Sequence, residues 1–298
     1  MTAKPSIGDK LAYYALLVFE KPFGLMPTSW MWRIGAGLGF VAHQFAKKRR
    51  AIVQANLRIV HPDFSDDQIG SLSKEVFRKS FGNLASSINT GFVSRRRLEK
   101  IITITGQENI KNLEPEKGCI MLLFHMGNWE VLSRIAPMFE TDKPSAAMFR
   151  PLNNTLINDH ITRGREKDGT QLFGRKRGLI QAHKFIKAGG ILGILGDQYS
   201  GAAGIKLPLF GKETSITPLP AILSQKYDCP IMPVIVKTVA PGKWIADFQT
   251  PFSIPKELDK SAATEKLVPV FEKVMTEHCS DIFWLHDRWK VKHTLKYK

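Results

Sequence analysis

Gly118-Cys119-Ile120-Met121-Leu122-Leu123-Phe124 runs without interruption into His125-Met126-Gly127-Asn128-Trp129-Glu130, and these two strings decide how the rest of the chain is read. A short, unbroken apolar run opened by glycine and closed by a polar turn predicts a buried β-strand. Further apolar runs at 101–105, 145–149, 190–195 and 231–239 read as strands, and helical patterns at 129–139, 153–167, 179–187 and 218–227 separate most of them. Such alternation predicts an α/β fold whose sheet is mixed and at least partly parallel, flanked by helices. After the Pro241-Gly242 turn, residues 243–248 predict an antiparallel strand, and a last helix is expected at 261–278.

Upstream of this core the pattern is helical. Residues 51–60 and 66–92 carry apolar side chains at helical spacing, and Ser65-Asp66-Asp67 supplies a capping start. Before them, residues 11–19 are apolar, Lys21-Pro22 interrupts, and 23–46 is again largely apolar. Pro27, Thr28, Ser29 and Arg33 divide that stretch, whereas a membrane span needs about 20 apolar residues in succession. A membrane-associating helical region is therefore expected at 1–50, lying on the bilayer or giving a single anchor. Trp30, Trp32 and Phe40 would sit at headgroup depth, and Lys47-Lys48-Arg49-Arg50 would engage anionic lipid. A helical hairpin buried on the domain's own core is the alternative. The order of apolar and basic segments is not that of a secretory signal. The remaining residues, 51–298, form one expected catalytic domain, with its α/β core from about 101.

The chain of 298 residues is 43% hydrophobic, long enough to close a large core. Its 43 lysines and arginines against 27 acidic residues leave a formal charge of +16, so anionic partners are expected. Nucleic acid, an anionic membrane face and an acidic carrier protein all satisfy that charge, but no sheet motif interleaves aromatic and basic residues as nucleic-acid binding would require. Cys119, Cys229 and Cys279 are odd in number and share no short spacing, which argues against disulfides and zinc knuckles. They read as buried structural thiols.

The chemistry concentrates at His125 and Glu130, where the buried strand ends and ligand sites of open α/β sheets gather. A spacing of five in a continuous helix separates two side chains by about 140°, so contact requires a turn, for which Gly127 is suited. A neutral imidazole can take the proton of an attacking hydroxyl while a carboxylate on its other nitrogen fixes the tautomer. Glu130 is expected in that orienting role. No Gly-x-Ser-x-Gly elbow is present, so no acyl-enzyme is indicated. His-x4-Glu lacks the paired histidines of a zincin, and neither a metal nor another cofactor is expected.

The string from His125 to Glu130 resembles the His-x4-Asp/Glu motif of glycerolipid-type acyltransferases, in the form seen in the lipid A biosynthesis (lauroyl/myristoyl) acyltransferase family. Phe149-Arg150-Pro151-Leu152-Asn153-Asn154, Gly196-Asp197-Gln198, Leu209-Phe210-Gly211-Lys212, Pro230-Ile231-Met232-Pro233-Val234 and Trp284-Leu285-His286-Asp287-Arg288-Trp289-Lys290 are similar to that family's successive blocks. The resemblance implies transfer of an acyl chain from acyl carrier protein or acyl-coenzyme A to a hydroxyl of a membrane glycolipid, first of all a lipid A precursor. It also implies a monotopic enzyme on the cytoplasmic face of a bacterial inner membrane. A phosphatidylinositol mannoside-type or other membrane lipid as acceptor, or hydrolysis of the thioester, are the competing readings. In the implied site Arg150 faces the cleft to bind phosphate or the developing oxyanion, and Asn153 belongs to the substrate-binding block. Arg163 is favoured over Arg165 as a second cation, since residues two apart on a helix occupy different faces. Asp197 and Gln198, ending another buried strand, would position an acceptor sugar or organise the oxyanion region. Lys206 and Lys212 flank a Pro208 loop and stand as further contacts to carrier or phosphate. The Trp284 to Lys290 block reads as packing.

Overall fold

A computed structural model describes residues 5–174 and 178–291, with backbone alone at 19 and 21. The amino-terminal third is helical: α1 (Ile7–Leu25), α2 (Thr28–Phe45), α3 (Lys47–Val60), α4 (Asp66–Thr90) and the short α5 (Arg95–Leu98). Ser65 caps α4 in a reciprocal box with Gln68, as the sequence implies. The break expected at Lys21-Pro22 falls four residues later. Helix α1 continues through Pro22, and its terminal carbonyls at Phe23 and Gly24, with that of Met26, are collected by the Asn89 amide nitrogen. With those carbonyls satisfied, the chain turns at Met26-Pro27.

Helix α2 lies directly on α4. A Cβ at Gly35 would stand 2.4 Å from the Phe81 carbonyl oxygen, and one at Gly39 would stand 2.5 Å from that of Phe77, so this crossing tolerates only glycine. Trp32, expected at headgroup depth, is instead buried here, its indole N–H donating to Asn83 Oδ1 at 3.1 Å, the same oxygen that accepts from Trp244. Trp30 and Phe40 remain exposed. Trp30 belongs to a run of exposed apolar side chains, with Ile34, Leu38, Val41 and Phe45, at the spacing of one helical face. Helix α1 exposes Ile7, Leu11, Tyr14 and Val18 in the same manner. Among the described residues no helix is long and apolar enough to cross a membrane, so a single anchoring span finds no counterpart in them.

The remaining chain builds a seven-stranded sheet from β1 (Ile102–Thr105), β2 (Cys119–Leu123), β3 (Ser145–Phe149), β4 (Gln171–Gly174), β5 (Ile191–Leu195), β8 (Ile231–Ala240) and β9 (Lys243–Phe248), with β6 (Ile205–Leu209) and β7 (Lys212–Ile216) forming a separate hairpin. The sheet order is β1-β9-β8-β2-β5-β3-β4, and only β8 and β9 pair antiparallel within it. The fold is therefore a mixed, mostly parallel α/β sheet flanked by helices. Strand β2 lies near its middle. Ile120, Leu122 and Phe124 enter one core, while Cys119, Met121 and Leu123 enter the other, which is why the strand reads as a continuous apolar run. Helices α6 (Gln107–Lys111), α7 (Thr155–Glu166), α8 (Gly178–Lys187), α9 (Leu219–Tyr227), α10 (Lys260–Glu265) and α11 (Val268–Glu277) complete the chain.

Three expectations are corrected. The helix at 129–139 is two 3₁₀ segments, Trp129–Ser133 and Ala136–Met138, separated where Arg134 turns inward. Its guanidinium bonds the carbonyls of Thr90, Gly91 and Val93 at the end of α4 and pairs with Asp168. The last helix is divided into α10 and α11, the second starting with Pro269 in its first turn. Lys206 and Lys212 do not flank a loop, because Phe210-Gly211 forms a tight turn with φ of 53° and 68° that folds their strands onto each other. Strand β4 has no apolar run to announce it.

Candidate active site

Parallel neighbours β2 and β5 end at the same edge of the sheet, with Leu123 opposite Leu195, so the residues just beyond them meet. His125 follows β2 and Asp197 follows β5. The Asp197 carboxylate contacts Nδ1 of His125 at 2.7 Å through Oδ1 and accepts the His125 backbone N–H at 2.9 Å through Oδ2. Both carboxylate oxygens are thus committed to one residue, and the Nδ1 contact leaves Nε2 clear of Asp197. Asp197 is 4% exposed. Burial alone would raise its carboxyl, but attraction to His125 and the two hydrogen bonds outweigh this and hold it below the ordinary carboxylate value.

Gly127 makes the bend after His125. Its φ is 52°, and a Cβ there would stand 2.1 Å from the Val236 carbonyl oxygen. The turn is fastened from below: Gly127 N–H donates to Asp281 O at 3.0 Å, and Phe283 N–H donates to His125 O at 2.8 Å. Trp129 meets the imidazole edge to face with centroids 5.3 Å apart, and Phe283 backs Trp129 at 5.7 Å.

Glu130 does not fold back on the imidazole. Carried by the 3₁₀ segment, it points toward α7, where Arg165 grips both of its oxygens at 2.8 Å through Nε and Nη2. The expected contact between Glu130 and the imidazole is therefore not formed: Asp197 contacts His125, and Arg165, with Arg163 exposed, pairs with Glu130. The 3₁₀ segment carries Glu130 to Arg165, and Arg134 locks that segment to the end of α4. Beside this ion pair lies a cavity of about 170 Å³ between α1, α4 and α7, walled by Leu16, Ile88, Phe92, Ile161 and the His160–Glu20 pair. A depression of about 250 Å³ by Lys117 and Gly118, at the opposite end of β2, contains none of the candidate residues.

Arg150 and Asn153 follow β3, the next strand over from β5, and both are exposed. Gln198 is half-buried beside Asp197. No hydrogen bond among the described residues joins these three to His125. Lys206 pairs with Glu213 on the exposed hairpin. His286, set aside with its block as packing, lies close by: its Nε2 accepts the Tyr199 N–H at 3.2 Å, two residues after Asp197. Burial, helped by Lys290, lowers the imidazole to about 4, so it is neutral. Asp197 was readable by the same logic as His125, since Ile191-Leu192-Gly193-Ile194-Leu195-Gly196 before it is likewise a buried run ending in a polar residue. Among the described residues no cluster of histidine, cysteine and carboxylate side chains is arranged to hold a metal ion.

Relatives match nearly the whole chain in sequence. The chain is 26% identical to the lipid A biosynthesis lauroyltransferase of Escherichia coli strain K12 over 273 residues, covering 90% of this chain and 87% of that protein. It is 25% identical to the lipid A biosynthesis palmitoleoyltransferase of the same organism over 264 residues, covering 87% and 84% respectively. A lipid A biosynthesis acyltransferase of Shigella flexneri matches to the same degree, 25% over 264 residues. The model of the bacterial lipid A biosynthesis acyltransferases matches residues 6–291, from the first turn of α1 through the carboxyl-terminal block, and the chain belongs to that acyltransferase family.

Proposed function

We propose that this acyltransferase moves a fatty acyl chain from a thioester, carried by acyl carrier protein or coenzyme A, to a hydroxyl of a lipid A precursor, with His125 as general base and Asp197 as its orienting carboxylate. The observation that carries the reading is the 2.7 Å contact between Asp197 Oδ1 and His125 Nδ1 at the carboxyl edge of the sheet. In the proposed step the acceptor hydroxyl oxygen attacks the thioester carbonyl carbon as Nε2 takes the hydroxyl proton. The tetrahedral intermediate collapses, the carbon–sulfur bond breaks, and the thiolate leaves with the proton held on Nε2. An ester and a free thiol result, with no acyl-enzyme. Asp197 stabilises the imidazolium between the two transfers.

The other placements fit this scheme. Glu130 and Arg165 form a bidentate pair at the mouth of an apolar cavity suited to an acyl chain, and they shape the entrance rather than move the proton. Arg150 and Asn153, exposed on the next strand end, are in reach of an anionic headgroup or carrier, with Gln198 beside the base. The exposed apolar faces of α1 and α2, followed by the exposed Lys47, Lys48 and Arg49, suit a monotopic enzyme lying on the anionic cytoplasmic face of the inner membrane.

Mass spectrometry of total membrane lipids tests the reading in cells carrying wild type, His125→Ala, Asp197→Asn or no copy. The expected result is a lipid A species lighter by one acyl chain in all three defective strains. Identical profiles would remove lipid A as the acceptor. Free fatty acid as the sole product of the purified protein would make it a thioester hydrolase.

A further inference from the structure

Asp197 holds the His125 ring, but the backbone that carries the ring is held from elsewhere. Asp281 to Phe283 runs beside the turn as an isolated antiparallel bridge, with Met126 opposite Ile282. Gly127 N–H donates to Asp281 O at 3.0 Å, and Phe283 N–H donates to His125 O at 2.8 Å. Such bonds contribute about 0.5–1.5 kcal/mol each, so the bridge is only as firm as whatever fixes Asp281. Asp281 is 7% exposed, and both of its carboxylate oxygens are committed. Oδ2 accepts from Lys79 Nζ of α4 at 2.8 Å, and Oδ1 accepts the Thr238 N–H of β8 at 3.1 Å. Lys79 Nζ also donates to Ser280 Oγ at 2.8 Å. One turn farther along α4, Asn83 exchanges hydrogen bonds with Thr238 Oγ1 at 3.1 and 3.2 Å, where the register of β8 on β9 shifts. A helix and a strand therefore grip the Asp281 side chain together, while its carbonyl meets the catalytic turn.

From this placement we infer that Lys79 and Asp281 are positioning residues of the acyl-transfer site, an ion pair that sets where the His125 turn stands relative to a bound thioester. The inference rests on the reading of His125 as the base. No hydrogen bond among the described residues joins either side chain to the imidazole, so the pair acts through the Asp281 carbonyl and the Phe283 N–H. The two side chains are 17% and 6% exposed, which sets them apart from a solvated surface pair of little consequence. Removing one partner leaves the other charge buried and uncompensated, and the segment shifts to relieve it. The other charged groups around Asp281 are accounted for. Lys237 faces Asp247 at 3.8 Å, and His278 is held below the ordinary imidazole value by burial. Asp197 binds both the ring and the backbone N–H of His125, so base and carboxylate move together when the turn moves. What changes is the reach of Nε2 to the acceptor hydroxyl, and a misplacement of about 1 Å costs about 10²-fold in rate.

The experiment is steady-state kinetics of the full chain, well below each variant's Tm, with a lauroyl thioester of acyl carrier protein and a phosphorylated glucosamine-disaccharide lipid in detergent micelles. Lys79→Met and Asp281→Asn are each expected to lower kcat by about 10- to 100-fold while KM for both substrates stays within about threefold. The double variant should lose little more than either single one, since the pair acts as a unit. Lys79→Arg, which keeps a charged donor, recovers most of kcat. Ser224→Ala breaks a buried hydrogen bond to Cys229 O at the end of α9, and it should lower Tm with kcat unchanged. A wild-type kcat in folded Lys79→Met overturns the inference, as does a lowered kcat matched by an equal rise in KM, or an equal loss of kcat in Ser224→Ala. Should Lys79→Met fail to melt cooperatively, Asp281→Asn decides alone, a lowered kcat at unchanged KM supporting the inference and a wild-type kcat overturning it. His125→Ala separates the two levels. Wild-type turnover in that variant defeats the base assignment itself, whereas an inactive His125→Ala beside a fully active Lys79→Met defeats only the role of the ion pair.

Discussion

Two carboxylates stand near His125, and they differ in everything but charge. Asp197 is 72 positions away in sequence yet spends both oxygens on His125, because β2 and β5 are parallel neighbours that end together. Glu130 is five positions away and spends both oxygens on Arg165. Proximity along the chain brought Glu130 to the rim, and adjacency in the sheet brought Asp197 to the ring. On the proposed mechanism the difference separates two jobs within one site: proton handling at the strand ends, and a rigid entrance between the 3₁₀ segment and α7.

The largest effects should fall on the strand-end pair. His125→Ala removes the imidazole in contact with Asp197 and is expected to lower kcat by about 10²–10⁴-fold, the range ascribed to a positioned general base. Asp197→Asn should approach the same loss, since an amide can offer Nδ1 the wrong partner and cannot stabilise the imidazolium. Steady-state turnover with both variants folded checks this, and an Asp197→Asn enzyme within threefold of wild type would break the pairing. Next in size, Glu130→Gln and Arg165→Gln should each weaken kcat/KM, and the double variant should be far less than additive, with a coupling of about 0.5–3 kcal/mol. Glu130→Gln combined with Asp197→Asn should show the smaller coupling of the two cycles. The reverse order would mean that Glu130 acts on the imidazole after all.

Much of this division was legible before any coordinates. The apolar runs at 118–124 and 190–195 announced strands because a strand buried on both faces has no polar side to disguise it. Strands β4 and β6 escaped notice because Gln171 and Lys206 lie outward and Pro208 interrupts the pattern. His125 was visible as a polar residue ending such a run, and so was Asp197. Their pairing was not, because sheet order is set by how helices pack across the faces, and nothing local records that β5 docks beside β2. Trp32 and Trp30 illustrate the same limit. Both are aromatic in an apolar stretch, but only the crossing with α4 decides that one meets Asn83 and the other faces outward.

That outward face gives a smaller prediction. Paired Ile34→Glu and Leu38→Glu substitutions alter side chains 45% and 59% exposed, so the fold should keep its Tm while affinity for anionic lipid vesicles falls by about tenfold or more. Unchanged sedimentation with vesicles would leave the apolar face of α2 without a membrane role. Turnover on a detergent-solubilised acceptor should stay within a few-fold, which keeps this surface distinct from the strand-end chemistry.

The smallest expected effect concerns pH and again sets the two ends of the site apart. His43, His61, His183, His278 and His286 are all held below the ordinary imidazole value of 6.5, chiefly by burial, with His286 lowest at about 4. Each therefore binds a proton more readily in the unfolded chain than in the folded one. Stability should be level between about pH 6.5 and 8 and should decline as pH falls toward 4, because the unfolded state gains protons through that window. Asp197, held below its ordinary value of 3.8, extends the loss to still lower pH, where its carboxylate takes up a proton and releases His125. Urea midpoints measured from pH 8 to 4 check the sign. His286→Asn keeps an acceptor for the Tyr199 N–H but cannot titrate, so its curve should be flatter than wild type between 6.5 and 4. An equally steep decline in that variant would show that His286 is free to protonate in the folded protein, and that the turn carrying Asp197 does not depend on its neutrality.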